Sequence, residues 1–408
     1  MTEKTHSSGA LAGVRVVDLS RVLGGPYCTQ ILGDHGADVI KVEPPMGDET
    51  REWGPPFEHD EAGRNVSSAY FNGVNRNKRC IALDLRKLEA REIVFRLLET
   101  ADVLVENFKI GTLEKWGMGY EDVLKQRFPR LVHCRISGFG ADGPYGRYPG
   151  YDAVAQAMSG LISVNGKPES GPVRIGVAVV DLVAGLHAVI GISMALFERE
   201  RSGRGQFIES TLYDAGISLL HPHAASWLMS GKLPQLTGNA HPNVAPYDLF
   251  ATKTRAVFVG VGNDNQFRKL ADVVGCPEVA GDPRFVSNGL RIENRDALTD
   301  VLSRRLREWD GEELCQRLIA AGVPAGPANN VEEVMTDAHT RHRQMVVEKE
   351  GYRGVGVPVK FARTAASIRH APPAFGADWR EVLESAGYTA AEIDSLVASA
   401  AVVRERTR

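Results

Sequence analysis

Apolar positions in the first third of this chain come in short runs, and the stretches between them carry helical spacing. Residues 14–43 read VRVVDLSRVLGGPYCTQILGDHGADVIKVE. VRVVDL predicts a strand, Gly24 and Gly25 let the backbone turn, and Pro26 suits the first turn of a helix. Gly36 closes that helix before a second strand, ADVIKVE. Two strands joined through a helix imply parallel pairing. The alternation continues through CIALDLR (80–86), a helix over 87–99, ADVLVENF (101–108), a helix over 112–126 and LVHCRISGFG (131–140). The pattern predicts an α/β fold, with a large domain on an open parallel Rossmann-like sheet and ligands at the carboxyl ends of its strands.

Residues 176–192, GVAVVDLVAGLHAVIGI, predict a buried strand-like run and then a long helix that Ser202, Gly203 and Gly205 stop. Asp181 is the one carboxylate there, and a buried carboxylate without partners is costly. Asp is a favoured N-cap. The positive end of a helix dipole would also hold it ionised, as a carboxylate nucleophile requires. The segment alone leaves both readings open. Farther on, 228–248 (LMSGKLPQLTGNAHPNVAPYD) is rich in Gly, Pro and Asn, as a linker or active-site loop is. A strand, AVFVGVG (256–262), and helices over 264–274, 291–307 and 311–321 predict a smaller α/β domain. Residues 344–361 predict a hairpin with MVVEKE and VGVPVKF as arms, and Thr389 and Glu392 a capping box on the last helix.

Composition narrows the function. The 408 residues suffice for two or three domains, and 43% hydrophobic with 24% charged residues is ordinary for a soluble protein. A net charge of −3 supplies no basic field for nucleic acid or an anionic membrane. The N-terminal MTEKTHSSGA has no apolar signal core, and no uninterrupted apolar run is expected to span a bilayer. Five scattered cysteines (Cys28, Cys80, Cys134, Cys276, Cys315) form no CxxC pair. They argue against a zinc site or disulfide framework and fit a reducing cytoplasm, each as a small buried apolar residue.

Candidate chemistry is scattered along the chain. The turn Gly24-Gly25-Pro26 lacks GxGxxG spacing, and Thr29 stands where helix packing needs a glycine, which disfavours a nicotinamide cofactor although Glu43 lies where a ribose-binding acid would. NGVNRNKR (72–79) packs three cations and three amides before a strand. That is a solvated turn or a polyphosphate site. Asn107 and Phe108 of the strand-end ENF, followed by Lys109 and Lys115, add an aromatic ring and cations at the same sheet edge, a set that suits a nucleotide with several phosphates; a core aromatic and a wet helix face would look the same. In PGYD (149–152), Tyr151 and Asp152 line a site, or Asp152 caps the next helix. GxSxG, Walker and HExxH motifs are absent.

Together the motifs DLSRVLGGPYCTQILGDHGADVIKVE, NRNKR, DVLVENF, ISGFG with GPY, PGYDAVAQAMSG, DLVAG and SGRGQFIESTLYDA resemble the family III CoA-transferases, which include formyl-CoA transferase, the carnitine CoA-transferases and α-methylacyl-CoA racemase. The resemblance covers nearly the whole chain. It implies that Asp181 is the catalytic aspartate, with Tyr151 and Asp152 at a Tyr-Glu pair beside it. It implies CoA contacts at Gly24, Asn75, Arg76, Asn77, Lys78, Asn107, Phe108, Lys109 and Lys115. Leu23 and Pro149 stand where formyl-CoA transferase has glutamine and lysine, and the 238–243 loop stands at its glycine-rich lid; these departures argue against formyl-CoA and oxalate. With the family in view, the chain divides into a large CoA-binding domain (10–225), a small domain (226–330) and a C-terminal segment (331–408) that returns to the large one. An interlocked homodimer is implied.

The implied activity moves CoA from an acyl-CoA such as succinyl-CoA to a carboxylic acid acceptor, through an aspartyl anhydride and an aspartyl-CoA thioester. CoA then enters as substrate, with no tightly bound cofactor. LTGNAHPNVAPYDLF and AGVPAGPANNVEEV look like the branch that acts on succinyl-CoA and dicarboxylates, for which Arg51 or Arg174 are candidate ligands of the distal carboxylate. The rival is racemisation at the carbon next to the thioester, which needs an acid and a base on opposite faces. The racemase branch has histidine where Tyr151 stands, and tyrosine is a poor base at neutral pH. His187, farther along the helix, is expected to pack.

Overall fold

The computed structural model describes residues 9–407, so most of the polar N-terminal stretch and Arg408 lie outside the described residues. The large sheet is built from β1 (Arg15–Asp18), β2 (Asp38–Glu43), β3 (Lys78–Ala82), β4 (Val103–Glu106), β5 (Val132–Ser137) and β6 (Phe207–Thr211). Its order is β3-β2-β1-β4-β5-β6, and every neighbouring pair is parallel. The chain winds one way from β1 and the other way from β4. Connections on either side of that switch point diverge, which opens a crevice at the carboxyl ends of β1 and β4.

Alternating side chains of the strands go to opposite faces. Val17, Ile40, Val42 and Leu104 pack on one side with helix α2 (Leu88–Leu98). Val16, Val39, Val103 and Val105 pack on the other with α1 (Gly24–Asp34) and a 24-residue helix, Val179–Ser202. Both faces are covered, so adjacent residues such as Val16 and Val17, or Val39 and Ile40, are apolar together rather than alternating with polar ones. With α3 (Asp152–Met158) preceding it, we call the long helix α4. Its buried face carries Val180, Ala184, Gly185, Ala188 and Ile192, while Leu186, Ile190, Met194 and Phe197 are exposed on the other side. A Cβ at Gly185 would lie 2.6 Å from the Gly24 carbonyl oxygen, so α1 and α4 cross closely only because that residue has no side chain. By length and composition α4 suffices to cross a membrane, which corrects the expectation that no run would; one face of it is packed on the sheet.

The described chain forms two compact units. The first takes residues up to Leu161, Ile175–His221 and Ala338 onward; the second takes Ile162–Arg174 and Pro222–Asp337. These breaks stand beside the expected ones at 225/226 and 330/331, and 162–174 groups with the second unit. That unit holds an antiparallel sheet of β7 (Tyr247–Phe250), β8 (Val257–Gly260) and β9 (Ala325–Pro327), with α5 (Asp264–Val273), α6 (Arg295–Leu306) and α7 (Gly311–Ala320) around a core including Phe250, Phe267, Phe285 and Leu302.

Three local expectations change. The helix over 112–126 is broken into turns at Thr112–Lys115, Tyr120–Leu124 and Lys125–Arg127, because Gly117 takes a φ of +70°. GVAVV forms no strand; α4 already begins at Val179. The hairpin pairs Val346–Lys349 with Tyr352–Val355, since Glu350 and Gly351 both adopt positive φ and turn the chain earlier than VGVPVKF. The capping box at Thr389 and Glu392 is present, and all five cysteines are buried and unpaired.

Beneath the crevice sits a dry charge cluster. Asp18, Lys41, Asp48 and Lys78 are fully buried. The Lys78 ammonium donates to Asp18 (3.0 Å), Asn75 (2.9 Å) and the Pro26 carbonyl (2.9 Å), and Lys41 donates to Asp48 (3.0 Å) and the Ser20 carbonyl (2.9 Å). Burial pushes the Asp18 carboxyl up, but Lys78 and Lys41 outweigh it and hold it at about 2. Removing one partner leaves a charge stranded in the interior. Lys78→Met is therefore expected to lower stability by about 3–5 kcal/mol, read from urea unfolding at pH 7; an unchanged midpoint would contradict this account of the cluster.

Candidate active site

The crevice at the switch point contains a cavity of about 290 Å³. Its walls come from Arg21–Gly24 after β1, Asn107–Ile110 after β4, Ile136–Gly138 at the end of β5, the turn Arg147–Tyr151, and Asp181. The loop after β1 is clamped from two sides. Asn107 accepts from the Arg21 N–H (2.9 Å) and donates back to the Arg21 carbonyl (2.6 Å), while Asp48 accepts from the Val22 N–H (3.4 Å). Between the clamps Val22 has a φ of +69°, a left-handed conformation that a β-branched residue seldom adopts. The turn then brings Gly24 so near α4 that a Cβ on it would lie 3.1 Å from the Asp181 carbonyl oxygen and 3.6 Å from Oδ1.

Asp181 is not the N-cap. It is the third residue of α4, whose start makes no capping bond of its own. The acceptor comes from α3: Oδ1 of Asp152 receives the N–H groups of Val180 (2.8 Å) and Asp181 (3.3 Å), and Oδ2 receives the Gln156 amide (2.6 Å). Asp152 thus caps α4 rather than its own helix, and it is buried behind the cavity wall. The expectation that the helix end holds Asp181 ionised is also reversed. Burial first, and then the charge of Asp152, push the Asp181 carboxyl up to about 7. Two carboxylates in a poorly solvated corner resist double ionisation, and the free helix N–H groups already face Asp152.

Tyr151 is 61% exposed and lines the same cavity. Phe108 and Lys109 line it too, together with a second, more apolar cavity of about 450 Å³ that includes Pro44, Met46, Leu83, Leu85 and Trp116. Phe108 meets Trp116 edge-on at 5.3 Å. The two cavities share Arg21, Phe108 and Lys109.

The NRNKR cluster does not reach either cavity. Asn75, Arg76, Asn77 and Lys78 are buried; Arg76 pairs with Asp34 at 2.7 Å, Asn77 donates to Asp34 at 2.7 Å, and Lys78 belongs to the cluster below the crevice. Their charges are already neutralised within the fold. Lys115 is exposed and lines neither cavity. The Asn107 amide is engaged by Arg21. Arg51 is buried, bound to Glu43 through two bonds (2.6 and 2.9 Å) and stacked 3.7 Å from the Phe71 ring centre, so it is closed to a ligand. Arg174 lies in the second unit, as does the 238–243 loop. His187 is exposed rather than packed.

Two residues near Asp181 carry no sequence signal of their own. Tyr70, edge-on to Trp53 at 5.2 Å, has its phenol pushed up to about 12 by burial and then by Asp181 and Asp152, so it stays protonated beside those carboxyls. Arg147 lines the cavity from a loop that reads only as Gly/Pro-rich.

The profile of the family described as CoA-transferase family III matches residues 11–379. The chain is 39% identical over 389 residues to the succinate–glutarate CoA-transferase of Agrobacterium fabrum, covering 94% of this chain and 97% of that one. It is 40% identical over 366 residues to the acetyl-CoA:oxalate CoA-transferase of Acetobacter aceti, covering 89% and 92%. A crystal structure of a CaiB/BaiF family protein from Brucella suis superposes with a TM-score of 0.84 at 42% identity, over 93% of this chain and all of that one.

The raised carboxyl has a consequence for stability. Asp181 binds its proton more tightly in the folded chain than in the unfolded one, so stability from this group is lost as pH rises from about 4 through about 7. Asp181→Asn is expected to raise the melting temperature by a few degrees at pH 8, with the gain shrinking at pH 4. A variant less stable than the parent at pH 8 would contradict it. Asn107→Ala releases the Arg21 clamp and is expected to cost about 1–3 kcal/mol in thermal or urea unfolding.

Proposed function

The chain belongs to CoA-transferase family III, and from that premise we propose that it exchanges CoA between dicarboxylic acids, with Asp181 as the nucleophile. The observation that carries this reading is a largely buried carboxyl on the wall of a small cavity that shares Arg21, Phe108 and Lys109 with a larger, more apolar one. Succinate, glutarate and oxalate, all short dicarboxylates, stand in the names of the relatives above beside acetyl-CoA, and succinyl-CoA with glutarate is the pair proposed here.

CoA lies across the two adjoining cavities, its apolar parts among Met46, Leu83, Leu85 and Trp116 and its phosphates near Lys109. An Oδ of Asp181 attacks the thioester carbonyl; the C–S bond breaks, leaving an aspartyl-acyl anhydride and CoA thiolate. The thiolate attacks the aspartyl carbonyl, which gives the aspartyl-CoA thioester and releases the first acid. The acceptor carboxylate attacks that thioester, forming a new anhydride and thiolate, and thiolate attack on the acceptor's acyl carbon gives the product and restores Asp181. Covalent catalysis divides one hard transfer into easier steps. Asp152 holds the start of α4 and so aims Asp181. Tyr151, a phenol where racemase members carry histidine, supports transfer over proton shuttling. The exposed apolar row Leu186, Ile190, Met194 and Phe197 supports a homodimer.

Incubation with succinyl-CoA and glutarate is expected to yield glutaryl-CoA on chromatography, and Asp181→Asn to lower the rate by a factor on the order of a thousand or more. Persistent exchange in that variant would remove Asp181 from the role. Attack needs the ionised carboxylate, so kcat/KM for the donor is expected to fall as pH drops below about 7. Asp152→Asn removes the neighbouring charge, and the acid limb is expected to move to lower pH; a limb that stays in place would contradict the coupling of the two carboxyls.

A further inference from the structure

We propose that Arg147 binds the distal carboxylate of the dicarboxylic acid, free or as its CoA thioester, while the other end reacts at Asp181; this rests on the dicarboxylate transfer proposed above. A dianionic acid entering this cavity meets the Asp181 carboxyl, and Asp152 lies behind it. Binding therefore needs a cation in the same cavity that is not already neutralised. Three cations line it: Arg21, Lys109 and Arg147. Arg21 faces Glu49 at 3.2 Å, and its main chain is held by Asn107. Lys109 lines both cavities, and suits the phosphates. Arg147 lines the Asp181 cavity alone and forms no ion pair among the described residues.

The loop that carries it is packed rather than loose. Its two ends cross at Gly138 and Gly150, where a Cβ on Gly150 would lie 2.7 Å from the Gly138 Cα. Phe139 anchors the loop, with ring centres 6.0 Å from Tyr145, 6.4 Å from Tyr148 and 5.7 Å from Tyr213. The Arg147 N–H donates to the Gly140 carbonyl at 3.0 Å, and the residue holds a φ of +68°. A non-glycine residue in that conformation is uncommon, and the surrounding loop enforces it. A guanidinium presents paired N–H donors that match both oxygens of a carboxylate, and it stays charged at any working pH. The cavity of about 290 Å³ has room for a short acid between that fork and Asp181.

The test compares acceptors of equal length with and without the second carboxylate: glutarate against valerate, with succinyl-CoA against butyryl-CoA as donors. In Arg147→Gln the ratio of kcat/KM for glutarate over valerate is expected to fall about tenfold or more, chiefly through KM, and Arg147→Lys to retain more of it than Gln. The donor ratio is expected to fall in parallel, since donor and acceptor acyl groups occupy one site in turn. Thermal unfolding of each variant separates a folding defect from a binding one, and a selectivity ratio read within one variant cancels any loss of active protein. Unchanged ratios in a variant whose parent prefers dicarboxylates would overturn the role of Arg147 and leave the transfer reading standing. A parent that shows no preference for glutarate over valerate would overturn both.

Discussion

Two backbone N–H groups at the start of α4 need an acceptor, and Asp152 supplies it from another helix. Those bonds, 2.8 Å to Val180 and 3.3 Å to Asp181, fix where the long helix begins. They also place one carboxylate behind another in a corner with little water. The same contact therefore sets both the position and the proton affinity of Asp181. A helix capped by its own serine or threonine would have the first property without the second. The close crossing at Gly24 and Gly185 completes the arrangement, because it brings the turn after β1 to within contact of the carboxyl.

The opposite wall depends on charges that never meet solvent. Asp18, Lys41, Asp48 and Lys78 join the end of β1, the middle of β2 and the start of β3 below the crevice. Asp48 and Asn107 then hold the main chain of Arg21 and Val22 in a conformation it would not take alone. The crevice is thus framed by buried polar groups whose partners are all internal, while the cations left for ligands, Lys109 and Arg147, stand on loops at its rim. Such division is what a doubly wound sheet favours: rigid strand ends underneath, and reactive groups on the connections above.

Much of the fold is legible in the sequence because the parallel strands are covered on both faces, so adjacent apolar pairs such as Val16-Val17 and Val39-Ile40 stand out. The misreadings have definite physical sources. Asp181 looks like a cap because local sequence cannot show an acceptor that arrives from 29 positions away, as Asp152 does. GVAVV looks like a strand because its valines satisfy β preference, yet Val180 packs against the sheet from the first turn of the helix, and only Val179 and Val180 of the five are helical. The NRNKR cluster signals charge but not direction; the fold turns Arg76 toward Asp34 and Lys78 toward Asp18, away from both cavities. Arg147 is passed over because glycines and prolines around it announce only a loop. Tyr151, Gly24, Phe108, Lys109 and Asp181 do meet in one cavity, as family motifs imply.

The central claim is that Asp181 forms a covalent bond to the acyl group and then to CoA. Peptide mass spectrometry after brief incubation with succinyl-CoA, followed by hydroxylamine or borohydride, reads that directly. The account predicts a hydroxamate or a reduced side chain at Asp181 and at no other carboxylate, dependent on the thioester. An active protein whose Asp181 peptide stays unmodified, or whose label sits on Asp152, would contradict it.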